Sequence, residues 1–233
     1  MRFLLLIFLS FPVFSQQFYR FKADVSIKDK LSDGTYRLTM GKVYYDKIYK
    51  KIVYQLKFPR QETIIAQDTT LYTLNKEGKL TATTRTVLVP EFTVFHLALT
   101  GRLADYGLKS VEEKPIYKIG KVEKTKTGVL TTWEPIDERF KKVFGNVQMH
   151  NVNKRLDAMI FFDKNTKIVS RQYFKKYTTQ KGISFPQEVT MISYLDDGKE
   201  NIQLTTYKNV VIDQTTEDEI YRYRIPVAKP VRK

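Results

Sequence analysis

The 233-residue sequence contains no cysteine, two histidines and one tryptophan. Without cysteine the chain can form no disulfide, no thiolate metal site and no cysteine nucleophile, and it cannot be lipidated at an N-terminal cysteine. Two histidines provide little for a metal site. The Gly-x-Ser-x-Gly, His-Glu-x-x-His and glycine-rich phosphate-binding motifs are also missing. These absences favour a protein that is not an enzyme and needs no cofactor or metal.

What the chain has in excess is positive charge and aromatic side chains. Forty Lys and Arg against 25 Asp and Glu give a formal charge of +15, and there are 15 Tyr and 15 Phe. Such charge is common in nucleic-acid-binding proteins. Here, however, the basic residues are spread along strand-like segments rather than gathered in a tail or a recognition helix. We therefore expect no nucleic-acid partner, and peripheral contact with an anionic membrane surface is the alternative use of the charge.

The N-terminus has the pattern of a secretory signal peptide. Arg2 precedes the apolar residues 3–9, and Pro12 precedes a Val-Phe-Ser sequence that suits cleavage after residue 15. The apolar run is too short to cross a hydrocarbon layer of roughly 30 Å as a helix. We expect residues 1–15 to be removed on export. Residues 16–226 should form a single domain, followed by a mobile basic tail at 227–233.

Apolar and polar residues alternate with a period of two through most of the chain. Phe21, Ala23 and Val25 fall on one face of a predicted strand, and turn sequences such as Asp196-Asp197-Gly198 separate successive runs. The exception is residues 90–101, which begin with Pro, are mostly apolar and end at Gly, as short helices do. The pattern predicts a mainly β protein: a curved antiparallel sheet forming an incomplete, half-open β-barrel with short covering helices.

Several segments resemble the periplasmic outer-membrane lipoprotein carriers, the LolA-like family. The similarity is carried by residues 41–45, 54–59, 64–68 and 71–74, and by 168–173, 182–186 and 189–195 nearer the C-terminus. Two features depart from the family pattern. The basic-Pro turn of the carriers is Lys47-Ile48 here, and the Asp-Gly hairpin is Asp68-Thr69.

The resemblance implies a non-enzymatic periplasmic carrier or chaperone. It would bind the acyl chains of lipoproteins, or another lipid, in a hydrophobic cavity and take them towards the outer membrane. Its partners would be acylated lipoproteins or other lipids and a membrane-bound donor or acceptor, and we expect a monomer. The alternative is a cell-envelope module that uses the same half-barrel to sense lipid or bind a protein.

Candidate site residues follow from the apolar strand faces and the central helix. We expect these strand residues to line a lipid-binding cavity: Phe21, Val25, Leu38, Tyr54, Leu56, Ile64 and Leu71. The spacing of Phe92, Phe95 and Leu99 places them on the cavity side of a helical lid. The resemblance adds Lys47 as the basic residue that holds the lid closed. Equally, the same apolar residues could form the core of a filled barrel.

Overall fold

A computed structural model describes residues 17–86, 90–109 and 115–226, so the predicted signal peptide and basic tail lie outside the described residues. Within those ranges there are thirteen strands: β1 (Arg20–Lys30), β2 (Tyr36–Asp46), β3 (Lys51–Phe58), β4 (Glu62–Gln67), β5 (Thr70–Leu74), β6 (Leu80–Arg85), β7 (Tyr117–Lys124), β8 (Val129–Pro135), β9 (Val147–Val152), β10 (Arg155–Phe162), β11 (Ile168–Gln180), β12 (Ile183–Tyr194) and β13 (Glu200–Ile212). The helices are short: α1 (Val94–Leu99), α2 (Glu138–Lys141) and α3 (Asp218–Tyr221). Single 3-10 turns occur at Pro90–Phe92 and Leu103–Asp105.

All thirteen strands belong to one antiparallel sheet, which confirms the predicted mainly β, unclosed barrel. The strand order is β6-β5-β4-β3-β2-β1-β13-β12-β11-β10-β9-β8-β7, so each half is a meander and β1 joins them by pairing with β13. Strands β6 and β7 are the two edges of the sheet, although they follow each other in the chain. The described residues 90–109, which lie between them in the chain, include α1.

One face of the sheet, the inner face, packs against α1. Phe21, Ala23 and Val25 of β1 lie directly opposite Tyr45, Val43 and Gly41 of β2. Because directly opposed residues of an antiparallel pair share a face, these side chains all point to the same side. Phe21, Val43 and Tyr45 are completely buried there. The alternation in β1 thus places Phe21 in a packed core, the alternative that the sequence left open beside the predicted cavity lining.

Leu38 is not on that face, contrary to the sequence prediction. The register pairs Leu38 with Lys28 and Met40 with Ser26, whose side chains point to the outer face. Alternation showed correctly that Leu38 and Met40 share a side. It could not show which side, because the face of a strand is defined only by its partners.

The outer face has a smaller core of its own, which we call the outer core. Tyr44, Val53, Ile65 and Leu74 pack there around Tyr221 of α3. The ring of Tyr221 meets that of Tyr44 edge to face, with 5.4 Å between centroids. Burial in this core raises the pKa of Tyr44 to about 12. The C-terminal helix therefore covers one end of the outer face.

Candidate functional site

Helix α1 lies against the inner face through Phe95. The Phe95 ring is 4.9 Å from that of Phe21 and 5.6 Å from that of Tyr207, between centroids, and it stacks on Phe185 at 6.3 Å. Only 2% of Phe95 is exposed, and Leu99 one turn later is also buried. Aromatic rings therefore fill the middle of the half-barrel beneath α1.

Phe92 does not belong to this covering helix, which corrects the sequence prediction. It ends a separate 3-10 turn, and 57% of it is exposed. The α-helix begins only after Thr93, whose backbone is extended, with φ −85° and ψ 155°. This break rotates Phe92 away from the row that Phe95 and Leu99 form, because helical spacing holds only within a continuous helix.

His96 of α1 makes a polar contact with the sheet. The hydroxyl of Tyr45 lies 2.7 Å from His96 Nδ1. Burial lowers the pKa of His96, and burial raises the pKa of Tyr45 well above its ordinary value. Neutral imidazole and protonated phenol are thus both favoured, and one hydrogen bond joins the phenol oxygen to the ring nitrogen. His96 is therefore a packed, hydrogen-bonded residue of the contact between α1 and the sheet.

Charged groups surround this contact. Glu91 in the preceding turn raises the pKa of His96, whereas Lys47, Lys50 and Arg102 lower it. Lys50 Nζ lies 2.7 Å from Glu91 Oε1. This ion pair joins the β2–β3 turn to the start of the covering segment, by which we mean the 3-10 turn at 90–92 together with α1. Lys47 instead lies over the ring of Tyr19, 4.8 Å from its centroid. The ion pair to the covering segment is therefore made by Lys50, three residues beyond the position that the resemblance suggested.

Low pH is expected to weaken the packing of α1 against the sheet. The folded-state pKa of His96 is lowered below the ordinary value of about 6.5, so its contribution to stability is complete above that pH. It is lost as pH falls from about 6.5 through the folded pKa, because the unfolded chain takes up the proton first. Urea unfolding of the wild type and His96→Gln between pH 7.5 and 5 tests this. The variant keeps a hydrogen-bonding side chain that does not titrate, so its free energy of unfolding should depend less on pH. An equal pH dependence in the two proteins would show that His96 is not the group responsible.

A cavity of about 600 Å³ opens beside α1, at the end of the half-barrel where β9 turns into β10 and β11 into β12. We call it the lid cavity. Its apolar lining comes from Phe18, Leu99, Leu103, Leu156 and Ile183. Its basic lining comes from Lys47, Lys154 and Arg155. Gln17, Thr100 and Ser184 also line it, so the cavity has a mixed apolar and polar lining with a cluster of positive charge.

A second cavity of about 570 Å³, the edge cavity, lies along β7, β8 and β9. Ile119, Val129, Trp133 and Met149 give it a largely apolar wall. Both cavities are lined by Gly101, Ala104 and Lys154. The segment that follows α1 therefore separates two spaces on the inner side of the sheet. Ala104 stands between them, and its carbonyl accepts a hydrogen bond of 2.8 Å from Asn151 Nδ2.

The strand residues that were predicted to line a lipid-binding cavity do not line the lid cavity. Phe21 and Val25 are buried in the inner core, where Tyr54 and Leu71 pack against it. The register places Leu56 and Ile64 on the same face as Tyr54. None of these six lines the lid cavity, whereas Leu99 and Lys47 from the predicted lid do. Sequence reasoning missed Leu156 and Ile183. Each lies at the start of a strand with an apolar face, and that alternation is the sequence signal that could have identified them.

Three solved structures share this architecture over most of their length. A LolA superfamily protein from Nitrosomonas europaea is 13% identical, with a TM-score of 0.55 over 89% of this chain and 91% of its own. An outer membrane lipoprotein-sorting protein domain from Vibrio parahaemolyticus is 10% identical, with a TM-score of 0.57 over 88% and 90%. The chain has a LolA-type fold. A DUF1329 family protein from Desulfovibrio piger, at 10% identity and a TM-score of 0.58, also covers 88% of the chain and 90% of its own.

No protein-family model matches the sequence, and no curated protein matches it either. At these identities the likeness establishes the LolA-type fold alone, so residue roles rest on the geometry above. Among the described residues no helix is long and apolar enough to cross a membrane. Nor do the same residues contain a cluster of three potential metal ligands.

Proposed function

We propose that this protein is a non-enzymatic carrier that holds an acyl chain of a lipoprotein or another lipid on the inner side of its half-barrel, in the periplasm of a Gram-negative bacterium. The observation that carries the proposal is the lid cavity. Its 600 Å³ falls within the roughly 300–1,000 Å³ typical of small-molecule sites, and apolar side chains that include Leu99, Leu103 and Leu156 line it beside the covering helix. The LolA-type fold also supports a carrier function.

The basic lining favours cargo with an anionic or strongly polar head. Lys47, Lys154 and Arg155 border a cavity that also contains the apolar residues of α1 and β10. Arg155 is held over the ring of Tyr177, 5.4 Å from its centroid, and the Tyr177 hydroxyl donates to the Leu156 carbonyl at 2.6 Å. An acyl chain would lie against the apolar wall while its head group meets these cations.

Release requires that the empty state be stable. Burying a 16-carbon chain contributes about 12 kcal/mol gross, at roughly 0.8 kcal/mol per methylene. The aromatic packing of Phe95 against the sheet competes with a ligand that would occupy the same space. The carrier we propose is therefore bistable: α1 and the segment after it close on the sheet when empty and move aside as the lid and edge cavities join.

A second candidate is a lipid-sensing or protein-interaction module of the cell envelope. The observation that favours it is the same aromatic centre, because Phe21, Phe95, Phe185 and Tyr207 fill the middle of the half-barrel. A module with a permanently filled centre would bind its partner on its surface instead. Lipid uptake distinguishes the two candidates.

Substitution of Ala104 by tryptophan is expected to reduce uptake of a fluorescent fatty acid by delipidated protein. Ala104 is exposed and lines both cavities, so an indole there would occupy ligand space without disturbing the core. Excluding two or three methylenes costs about 2 kcal/mol, or roughly a thirtyfold rise in Kd.

The matched control is Ala104→Ser, which leaves the cavity volume nearly unchanged and should bind as the wild type does. The free acid should also bind more tightly than its methyl ester, because only the acid carries a charge for the basic lining. No saturable uptake by the wild type would reject the carrier and favour the interaction module. Uptake that Ala104→Trp leaves unchanged would place the ligand outside these two cavities.

A further inference from the structure

The outer face of the sheet is uncovered at the end away from α3, and it contains a groove of about 780 Å³. Its floor comes from adjacent strands in the middle of the sheet. Cross-strand pairs place Lys28 beside Leu38, Ser26 beside Met40, and Met40 beside Phe58. We call this the outer groove. It lies on the opposite side of the sheet from the lid and edge cavities.

Four lysines line the outer groove: Lys28, Lys42, Lys57 and Lys208. Its single carboxylate, Asp24, accepts a 2.7 Å hydrogen bond from Asn209 Nδ2. Across the described part of the chain, none of the four lysines is in a salt bridge. Asp24 lies directly opposite Lys42 and Lys208 in the neighbouring strands, so the groove keeps an excess of positive charge, four lysines against one carboxylate.

Large apolar side chains are exposed among these lysines. Met40 is 45% and Phe58 49% exposed, and they lie opposite each other in β2 and β3. Exposed apolar groups of this size in contiguous positions indicate a contact surface rather than a solvated one. An apolar floor with a cationic border is the composition that suits the interface of an anionic bilayer, where aromatic rings and lysine stems lie at head-group level.

We propose that the outer groove docks the protein on an anionic phospholipid bilayer, with Met40 and Phe58 at head-group depth and the four lysines on the lipid phosphates. The cations are all lysines, compact charges on flexible stems that adapt to mobile head groups. A fixed carboxylate pattern on an acidic protein would be matched better by the planar fork of arginine, and no arginine lines this groove. Docking through the outer face leaves the opposite cavities free for exchange of cargo.

Co-sedimentation with vesicles tests this proposal directly. The wild type should bind vesicles of phosphatidylcholine and phosphatidylglycerol, and bind pure phosphatidylcholine vesicles far more weakly. Each lysine near an anionic surface contributes about fivefold in affinity, so replacing all four by glutamine should weaken binding more than about a hundredfold. Added salt should weaken wild-type binding in the same direction.

A matched control removes the same charge elsewhere. Lys118, Lys124, Lys126 and Lys142 are exposed, lie on or near β7 and α2, and line neither the outer groove nor the two inner cavities. Their quadruple glutamine variant should keep most of the binding. Equal losses in both variants would show a general charge effect and overturn the assigned surface, and so would equal binding to both vesicle types. Lysine-dependent binding of polyglutamate without binding of vesicles would identify an acidic protein partner instead.

The docking proposal can be tested separately from the proposed carrier function. Fatty-acid uptake by the groove variant should equal that of the wild type, because its four lysines lie outside both inner cavities. A variant that takes up lipid normally but no longer sediments with vesicles supports both proposals. Vesicle binding without any fatty-acid uptake would support the docking surface and reject the carrier.

Discussion

Replacing Phe95 by alanine should lower the free energy of unfolding by about 3–5 kcal/mol, the usual cost of removing a buried phenyl ring. Phe95 contributes most of the attachment of α1, because its ring contacts Phe21, Tyr45, Phe185 and Tyr207. A six-residue helix has too few internal hydrogen bonds to persist without such packing. Chemical denaturation monitored by circular dichroism measures the loss.

The control for Phe95 is three residues away. Phe92→Ala removes the same ring from an exposed position, so its effect should stay within about 0.5 kcal/mol. A large loss from Phe92→Ala, or a small one from Phe95→Ala, would contradict the description of the covering segment. If Phe95→Ala remains folded, it should also take up fatty acid at least as readily as the wild type, because the closed empty state is weakened.

Asp46→Ala should cost about 3 kcal/mol, since it removes a buried carboxylate with three partners. Asp46 is 1% exposed and accepts from Arg20 Nε at 3.2 Å and from the backbone N–H groups of Ile48 and Tyr49 at 2.8 and 3.1 Å. It therefore anchors β1 and the turn that carries Lys47 and Lys50. The midpoint of urea unfolding should fall without a change in slope.

Asp218 provides the comparison for this prediction. It also pairs with Arg20, but its side chain is 49% exposed, so Asp218→Ala should cost no more than about 1 kcal/mol. Arg20 additionally lies over the Tyr221 ring, 4.7 Å from its centroid, and this contact remains in the Asp218 variant. Equal losses in the two variants would mean that burial of Asp46 does not determine its contribution.

The regular strands and their turns were predictable from local pattern. Alternation in β1 and in the β12–β13 hairpin is unambiguous, and Gly198 with φ +81° closes that hairpin as the Asp-Asp-Gly sequence predicts. The helix within 90–101 was also predicted. Its break at Thr93 was not, because the residues before it satisfy helical spacing as well as those after it.

Helix α3 shows the same limit of local pattern. Thr216 with Glu219 has the spacing of a capping box, yet α3 begins at Asp218 after Glu217, whose backbone is left-handed with φ +66°. The position of α3 is determined by Tyr221 in the outer core and by the ion pairs of Lys22 with Glu217 and of Arg20 with Asp218. These ion pairs join residues 195 and 198 positions apart in the chain, and no local pattern contains such contacts.

The sequence by itself determined that this is a cysteine-free, mainly β chain of alternating strands with one short apolar helix at its centre. These properties depend on side-chain period and turn chemistry, which are local. Only the tertiary structure decided which face of each strand is inside, as Leu38 on the outer groove and Phe21 in the inner core show. It alone also placed the cavities beside α1 and along β7–β9, because a cavity is the space left between elements distant in the chain.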